Sequence, residues 1–556
     1  MKKNKILIPV VLLLMTGLFA FVRPGDDYFQ IARSLDIFAT LFKEINSYYV
    51  DEVDPEKLIG DATEGILESL DPYTVFIPAE AAESFSIQTT GQYAGIGALV
   101  TSIEKKIYIS QPYEGFPAYQ AGIRVGDQIV SVGGKPVNGN STTDVTTLLK
   151  GPPDTEVELV VRRQGVKEDI PLRLTRKRIK VKSVAWSGLM NPTTGYIQVS
   201  EFNAGTGREV EAAFRALREK GITSLILDLR DNPGGLLYEA VNVANLFLPK
   251  GKEVVSTRGK MQDSNKIYST LNEPLDTTMP MVVLVSGGSA SASEIVAGAL
   301  QDYDRAVLIG QKTFGKGLVQ ITRPLPYDAQ IKLTTARYYI PSGRCIQALD
   351  YSKRDSEGLA TRTADSLKME FKTAGGRKVY DGGGLDPDLK VTGSVPGELL
   401  TSLYGGGHVF MYAREYCAAH PAPADWSAFR LTPADLEAFR GWLAKRNFQF
   451  ETVMEQELRE FEVIAKKNQA WTELGPAVST MRNKISAGKN SVFSQHQSFL
   501  ISLLEQEIAF HYKLDEGRAG VSFGRDPVLN EAGKLLGDAP AYQKILTSSH
   551  VPAAKP

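Results

Sequence analysis

The strongest constraint on the fold lies in residues 195–388, where apolar strand-like runs alternate with helical patterns. Strand-like runs occupy 195–199, 224–229 and 281–285, and helical periodicity occupies 207–220, 236–246 and 292–303. This alternation predicts an α/β core built on a largely parallel sheet. Glycine-rich turns follow several of the strands, and such strand ends are where α/β folds usually bind ligands.

Other segments surround this core, and 556 residues are enough for several domains. Residues 24–87 have helical periodicity as far as the break at Asp71-Pro72. Residues 88–177 change to short strands and glycine turns, which predicts a compact, mostly β module. Residues 178–395 contain the α/β core, and residues 396–556 are helical and charged. The sequence therefore predicts a multidomain α/β protein with helical segments at both ends.

The first residues, 1–23, have the composition of an export signal. A basic start, Met1-Lys2-Lys3-Asn4-Lys5, precedes an uncharged apolar run over residues 6–22. A cleaved signal peptide and a retained inner-membrane anchor are both consistent with this pattern, and a buried core helix is the minor alternative. We expect the rest of the chain to be exported, either periplasmic or anchored to the membrane and facing the periplasm.

Composition excludes several classes of function. The 63 Lys and Arg residues nearly balance the 64 Asp and Glu residues, so charge gives no reason to expect a nucleic-acid partner. Two cysteines, Cys345 and Cys417, cannot form a disulfide framework or a zinc site, and a single bridge between them is the minor alternative. We expect no metal and no cofactor.

The histidines argue against a histidine-based catalytic site. All five lie in the last helical segment, far in sequence from the glycine-rich turns of the core: His408, His420, His496, His511 and His550. A Ser-His-Asp triad assembled across domains remains an alternative, because triads are defined in space.

The first candidate for chemistry is Ser291, which lies in a run of small residues joining an apolar strand to a helix. The free amides at a helix start can stabilise an oxyanion beside such a serine. The competing interpretation is structural, because Ser291-Ala292-Ser293-Glu294 also fits a capping box with Glu294 as the partner of Ser291. This segment alone leaves both interpretations open.

A serine nucleophile needs a base, and Lys316 in Thr313-Phe314-Gly315-Lys316-Gly317 is the nearest candidate by character. Burial can lower a lysine pKa by the roughly 3 units that this role requires. A solvated lysine on a surface hairpin is the alternative. If residues 318–322 form a strand, Gln320 lies on the same face as Lys316 and can orient its amine.

The same stretch has the glycine and lysine spacing of a P-loop. However, Gly317 stands where a P-loop has Ser or Thr, and the residues that follow predict a strand instead of a helix. We therefore reject nucleotide binding. A further turn, Arg230-Asp231-Asn232-Pro233-Gly234-Gly235, follows an apolar strand, and its amides either bind an anion or form a plain turn.

Taken together, these motifs resemble the C-terminal processing peptidases, also called tail-specific proteases. The resemblance rests on a set of short motifs in the expected order: Leu70-Asp71-Pro72-Tyr73, Pro117-Ala118, Ala121-Gly122-Ile123, Gly126-Asp127, Asn232-Pro233-Gly234-Gly235, the run from Ser289 to Ile295, Thr313-Phe314-Gly315-Lys316-Gly317, Tyr338-Tyr339 and Pro341-Ser342-Gly343-Arg344. It covers about residues 30–390. An insertion near residues 350–380 and the helical region 396–556 depart from the minimal family pattern.

The resemblance implies a ClpP/crotonase-like α/β protease core over 178–395 with a PDZ domain inserted at 88–177. It implies Ser291 as nucleophile, Lys316 as general base and Gln320 as the orienting partner. The oxyanion hole would use the amides of Ala292 and of Gly234 or Gly235. The PDZ carboxylate-binding loop would be Gly95-Ile96-Gly97-Ala98, which captures a substrate C-terminus while the peptide adds a strand.

The sequence thus predicts a serine endopeptidase that cleaves exported proteins with exposed, apolar C-termini through an acyl-enzyme. A catalytically inactive PDZ scaffold in the cell envelope is the alternative from another functional class. A hydrolase using Cys345 is a third interpretation, and the absence of a nearby histidine in the sequence disfavours it. For residues 396–556 we expect an accessory helical domain or one that forms a homo-oligomer.

Overall fold

A computed structural model describes residues 25–137, 139–356, 358–391 and 397–547. The candidate signal or anchor at 1–23 lies outside the described residues, so its prediction stands untested. Within the described ranges, no helix combines the length and the apolar character that a bilayer span requires. The chain forms two compact units, one of residues up to Phe76 with Ile331–Leu333 and one of all other residues.

The first unit is mostly helical, as the sequence predicts. Helices α1 (Gly25–Tyr48) and α2 (Pro55–Glu68) lead to strand β1 (Val75–Ile77). The Asp54 carboxylate caps α2 by accepting the amide of Glu56 at 2.9 Å, and Pro55 occupies the first turn, where its missing N–H costs nothing.

The centre of the second unit is a six-stranded sheet. Its strands are β10 (Val184–Asn191), β11 (Thr194–Val199), β12 (Ser224–Asp228), β15 (Met281–Val285), β16 (Val307–Gly310) and β23 (Leu389–Lys390). They lie in the order β10-β11-β12-β15-β16-β23. Within this sheet β11, β12, β15, β16 and β23 are parallel, and β10 is antiparallel to β11. This confirms the predicted α/β core.

Both faces of this sheet are covered, which is why β12 and β15 are buried along their whole length. One face packs on α6 (Thr206–Glu219), α7 (Leu237–Asn245) and α8 (Ala292–Asp302). The other packs on α15 (Pro527–Gly537) and α16 (Ala539–Thr547), near the end of the chain. The C-terminal helices therefore complete the core, a role the sequence does not predict.

The mostly β module has its own apolar core within the second unit. The chain enters it through β2 (Gln92–Gly95), after helix α3 (Ala79–Thr90), and leaves through β9 (Lys177–Lys180), and β2 pairs with β9. Inside the module lie β3 (Ala98–Ile103), β4 (Lys106–Pro112), α4 (Pro117–Gln120), β5 (Gln128–Val132), β6 (Lys135–Pro136), α5 (Thr142–Leu149), β7 (Glu156–Arg162) and β8 (Ile170–Thr175). The module is mostly β, as the sequence predicts.

A second sheet and two short hairpins lie outside the central sheet. The sheet contains β13 (Glu253–Gly259), β14 (Lys266–Ser269), β17 (Leu318–Pro324) and β18 (Gln330–Tyr339). The insertion forms two hairpins, β19 (Leu349–Arg354) with β20 (Ala360–Arg362) and β21 (Glu370–Lys372) with β22 (Lys378–Tyr380).

Most of the remaining helices form a separate apolar core toward the C-terminal end of the chain. We call residues 397–547, including α15 and α16, the helical domain. Its other helices are α9 (Gly397–Gly405), α10 (His408–Ala419), α11 (Pro433–Lys445), α12 (Val453–Lys467), α13 (Trp471–Gln495) and α14 (Gln497–Ser522).

The helical domain also contacts the mostly β module directly. The Arg414 guanidinium donates to the Gly126 carbonyl at 2.7 Å and lies 5.3 Å from the centre of the Tyr108 ring. Gly407 approaches Ile103 so closely that an added Cβ would lie 2.6 Å from its side chain. These contacts hold the module against the helical domain in this structure.

The Arg414 contact can be tested directly. Arg414→Ala removes both the hydrogen bond to Gly126 and the cation–π contact, so backbone amides near Gly126 should exchange faster. We expect a clear increase in hydrogen–deuterium exchange in peptides covering residues 103–127. The matched control is Arg440→Ala, whose side chain pairs with Glu437 inside the helical domain. Equal exchange of these peptides in both variants would show that Arg414 does not hold the module at Gly126.

Candidate active site

Ser291 lies at the junction between β15 and α8, as predicted. The residue is half-buried and adopts φ 55° and ψ −114°, a left-handed conformation that is rare for a residue with a Cβ. Ser289 helps to fix the turn, because its hydroxyl donates to the Leu229 carbonyl at 2.7 Å. The structure thus presents a strained serine between a buried strand and a helix start.

Glu294 connects the serine turn to the lysine loop. One of its carboxylate oxygens, Oε2, accepts the backbone amides of both Ser291 and Lys316 at 2.9 Å. The other, Oε1, accepts the Gly315 amide at 2.9 Å and the Thr313 hydroxyl at 2.5 Å. The backbone half of the predicted capping box is therefore present, but the same carboxylate also holds the lysine loop against the serine.

Tyr338 makes a second connection between these two segments. Its hydroxyl hydrogen-bonds the Ser291 carbonyl at 3.2 Å and also the Lys316 carbonyl. The side chain is almost fully buried, with 1% of its surface exposed, so this bridge is shielded from water. The main chains of Ser291 and Lys316 are consequently held side by side at two points.

The Lys316 loop is packed, not a surface hairpin. Gly315 has φ +87°, and a Cβ there would lie 2.5 Å from that of Ala348. A Cβ on Gly317 would lie 2.8 Å from the Gln347 backbone nitrogen. The two glycines therefore allow the close packing that leaves Lys316 half-buried between them.

The residues after Lys316 form strand β17, which agrees with the rejection of a P-loop. Gln320 lies on this strand and is half-buried. Its side-chain amide donates to the Thr334 hydroxyl at 3.1 Å. This bond fixes the amide group of Gln320, and its role toward Lys316 remains a prediction.

The turn at residues 230–235, which we call the oxyanion turn, lies against the serine turn. Asn232 organises it: its side chain donates to the Val199 carbonyl at 2.8 Å and accepts the Gly234 amide at 2.9 Å. The Asn232 carbonyl accepts the amide of Ala290 at 3.0 Å and the hydroxyl of Ser293 at 2.9 Å. The two turns are thus hydrogen-bonded to each other.

Gly234 brings the oxyanion turn into contact with Ser291. Its φ is +102°, and an added Cβ would lie 2.8 Å from the Ser291 Cβ and 2.9 Å from the Ala292 nitrogen. Since the Gly234 amide already donates to Asn232, the Gly235 amide is the better candidate donor. Within the described ranges, the amides of Gly235 and Ala292 donate no hydrogen bond.

The residues of the alternative interpretations, the histidines and Cys345, lie in environments that differ from those of Ser291 and Lys316. Among the described histidines, His420 stacks on Tyr416 at 4.0 Å and His511 packs on Phe410 at 4.8 Å, both within the helical domain. Cys345 and Cys417 are free thiols, so the minor alternative of a bridge between them is wrong. Burial raises the pKa of the Cys345 thiol, which is the opposite of what a thiolate nucleophile needs.

The loop Gly95-Ile96-Gly97-Ala98 joins β2 to β3. The Ile96 carbonyl accepts the Ala118 amide at 2.8 Å, and the Gly97 carbonyl accepts the Tyr113 amide at 2.9 Å. In the part of the chain that the structure describes, the amides of Ile96 and Gly97 donate to no protein group. The loop therefore offers unpaired donors, which is the chemistry that a carboxylate requires.

Comparison with known proteins decides the family. Residues 193–352 match the model for peptidase family S41, residues 108–163 match a PDZ domain, and residues 399–536 match the C-terminal helical domain of probable PDZ-proteases. The carboxy-terminal-processing protease of Bartonella bacilliformis is 38% identical over 328 residues, which cover 58% of this chain and 74% of that protein. This chain belongs to the carboxy-terminal processing proteases.

A second curated relative gives the same result. The carboxy-terminal processing protease CtpA of Bacillus subtilis is 35% identical over 351 residues, covering 63% of this chain and 73% of that protein. Among solved structures, the photosystem II D1 C-terminal processing protease is 28% identical, covers 67% of this chain and 96% of that chain, and superposes with a TM-score of 0.34. The family resemblance is confirmed, and the protein is a serine-type peptidase with a PDZ domain.

Two contributors to this site were missed by sequence reasoning. The sequence presents Glu294 only as a helix-capping residue, and the long separation from Lys316 hides its second function. Tyr338 belongs to a family motif, but nothing local signals that its hydroxyl bonds two distant carbonyls. Both roles depend on contacts between segments far apart in the chain.

Gly234→Ala tests the contact between the oxyanion turn and Ser291. The added methyl group would overlap the serine turn, so we expect peptidase activity to fall at least about hundredfold. The matched control is Gly221→Ala, because Gly221 also has positive φ (+83°) but has no atom within 4 Å of an added Cβ. Steady-state kinetics on purified variants measure the effect, and similar losses in both variants would contradict it.

Glu294 should couple activity and stability to pH in opposite directions. Burial raises the pKa of its carboxyl from 4.5 to about 7. Below about pH 7 the Glu294 carboxyl is protonated, and its O–H would meet the N–H and O–H groups that donate to the carboxylate. One of those hydrogen bonds would be lost, so peptidase activity should fall on acidification. Because the folded-state pKa is the higher one, the stability contribution of protonation is full below about pH 4.5 and is lost as pH rises through 7.

The measurement is urea unfolding of Ser291→Ala and of the double variant Ser291→Ala/Glu294→Gln at about pH 5.5 and about pH 8. In Ser291→Ala, the Glu294 carboxyl should make the free energy of unfolding larger at about pH 5.5 than at about pH 8, by on the order of 2 kcal/mol. The added Glu294→Gln change should remove this difference. Glu211→Gln, a change on the outer part of α6, serves as the control. An unchanged pH dependence in the double variant would show that the Glu294 carboxyl does not titrate in this range.

Proposed function

We propose that this protein is a serine endopeptidase that uses Ser291 as nucleophile and Lys316 as general base. The observation that carries the proposal is the shared carboxylate of Glu294, which accepts the amides of both residues at 2.9 Å. The shared acceptor holds the backbones of the serine and lysine segments together, which is what a catalytic dyad requires.

In the proposed reaction, the Ser291 hydroxyl oxygen attacks the carbonyl carbon of the scissile peptide bond and its proton passes to the uncharged Lys316 amine. The tetrahedral oxyanion accepts hydrogen bonds from the Ala292 and Gly235 amides. Collapse breaks the C–N bond, and the Lys316 ammonium returns the proton to the leaving amine. Water then attacks the acyl carbon while Lys316 takes its proton. The ester C–O bond to Ser291 breaks, the acyl group leaves as a carboxylic acid, and Lys316 returns the proton to the Ser291 oxygen.

The dyad requires an uncharged lysine, and Gln320 is proposed to orient its amine. The ordinary lysine pKa of about 10.4 must fall by roughly 3 units for efficient catalysis near neutral pH. The buried glycines on either side of Lys316 and the buried Tyr338 reduce solvent access to the loop, which supports that shift.

The PDZ domain is proposed to select substrates by their C-termini. The unpaired amides of Ile96 and Gly97 would bind the terminal carboxylate, and the peptide would extend along β3. The solved PDZ domain of a carboxy-terminal protease from Vibrio cholerae, described as a complex with peptide, is 29% identical over 16% of this chain and 99% of that chain, with a TM-score of 0.16. Because residues 1–23 resemble an export signal, we propose that the substrates are exported proteins.

The decisive experiment compares cleavage of a protein with an apolar C-terminus by the wild type, Ser291→Ala and Lys316→Ala. Both variants should lose at least about a thousandfold in kcat while still binding the C-terminal peptide. Lys250→Ala, an exposed lysine on the core, is the matched control and should retain full activity. Activity in both dyad variants would refute the mechanism. Peptide binding without any wild-type cleavage would favour the inactive scaffold.

A further inference from the structure

The oxyanion turn is tied to the helical domain by one ion pair. The Nη1 atom of Arg230, the first residue of the turn, lies 2.5 Å from Oδ2 of Asp526. Asp526 is distant in sequence and precedes α15, one of the two helices that complete the catalytic sheet. Both side chains are mostly shielded, with 22% and 15% of their surfaces exposed.

Arg230 is held at its other edge by the strand that precedes the turn. Its Nε and Nη2 atoms donate to the Asp228 carboxylate at 3.0 and 2.7 Å. Asp228 is 1% exposed and also accepts the Tyr196 hydroxyl at 2.7 Å. The guanidinium thus lies between a carboxylate of the catalytic sheet and a carboxylate of the helical domain, in the planar geometry that arginine favours.

The oxyanion turn, which begins at Arg230, also contains a residue with an uncommon backbone conformation. Asp231, next to Arg230, has φ 57°, a left-handed conformation that costs most residues with a Cβ about 1 kcal/mol or more and costs Asp less. Such a conformation persists only where neighbouring groups hold it. Inside the turn the hydrogen bonds of Asn232 do this. Outside it, the Ser286 hydroxyl accepts the Asp231 amide and donates to the Asp231 carboxylate, each at 2.9 Å, and the Arg230 side chain is a further anchor.

Asp526 is itself well fixed. Its Oδ1 atom accepts the amides of Val528 at 2.8 Å and Leu529 at 3.3 Å, so it caps α15. Leu529 is 1% exposed and packs on the sheet. One carboxylate oxygen thus binds the helix start and the other binds Arg230, which leaves the carboxylate little freedom to move.

We infer that Asp526 is a positioning residue for peptide-bond cleavage: through Arg230 it holds the oxyanion turn where the Gly235 amide can stabilise the tetrahedral intermediate. The inference rests on the proposed function. It also gives the helical domain a part in positioning the catalytic groups, since the domain supplies one of the two carboxylates that bind Arg230.

Asp526→Asn separates this task from helix capping. Asn caps helices as well as Asp, so the bonds to the Val528 and Leu529 amides can remain. Its side-chain nitrogen, however, would face the Arg230 guanidinium as donor against donor. The matched control is Asp538→Asn, because Asp538 is exposed and caps the next helix by accepting the Ala541 amide at 3.0 Å.

The experiment measures kcat and KM on an internally quenched peptide, and affinity for a peptide aldehyde, which forms a hemiacetal with a serine nucleophile. For Asp526→Asn we expect kcat to fall about tenfold, aldehyde affinity to fall by a similar factor and KM to stay within about twofold. Asp538→Asn should match the wild type. A loss caused by unfolding would lower the melting temperature and the active fraction instead, and would recover on cooling.

An active wild type with unchanged kcat and aldehyde affinity in Asp526→Asn would overturn the inference and leave the proposed function intact. The same holds if the loss disappears at lower temperature, because the role is then structural. A wild type that cleaves nothing would remove the proposed function, and this inference with it.

Discussion

The arrangement of this site depends on a buried carboxylate, that of Glu294. An ionised carboxylate in the interior is costly unless every lone pair direction has a donor, and here four donors surround it. Three of these donors are backbone amides from the two segments that carry the serine and the lysine. The cost of burial is therefore lowest when both segments are in place, which favours their proximity in the folded state.

The same carboxylate creates an electrostatic conflict. A negative charge close to a lysine favours the ammonium form, whereas a general base must be uncharged. The structure reduces the conflict by directing the Glu294 oxygens at backbone amides and at Thr313, so that much of the charge is compensated locally. The raised pKa of Glu294 has the same origin, since burial disfavours its charged form more than the four donors favour it.

The helical domain is more than an accessory, because it contacts two other parts of the protein. Its helices α15 and α16 cover one face of the catalytic sheet, and the Tyr542 hydroxyl bonds the backbone of Met281 on β15 at 3.0 Å. Through Arg414 the same domain holds the PDZ domain at Gly126. A single helical domain thus contacts both the catalytic core and the PDZ domain, so removing it would expose one face of the core sheet.

Much of this architecture could be predicted from the sequence because it is locally encoded. The strands at β12 and β15 and the helix at α8 follow from periodicity, and the serine turn follows from small residues after a buried strand. The packing of α15 and α16 on the sheet could not be predicted, since amphipathic helices show that they bury a face but not against what. The roles of Glu294, Tyr338 and Asp526 were hidden for the same reason: each depends on partners brought together only by the tertiary fold.

The nucleophile can be identified most directly by trapping its covalent intermediate. The enzyme would be mixed with an activated peptide ester, quenched in acid within seconds, digested and examined by mass spectrometry. Acylation of Ser291 alone, absent from Glu294→Gln under the same conditions, is the expected result. An acyl group on another residue, or rapid peptide cleavage in which Ser291 is never acylated, would contradict the central claim that Glu294 holds a Ser291–Lys316 dyad together.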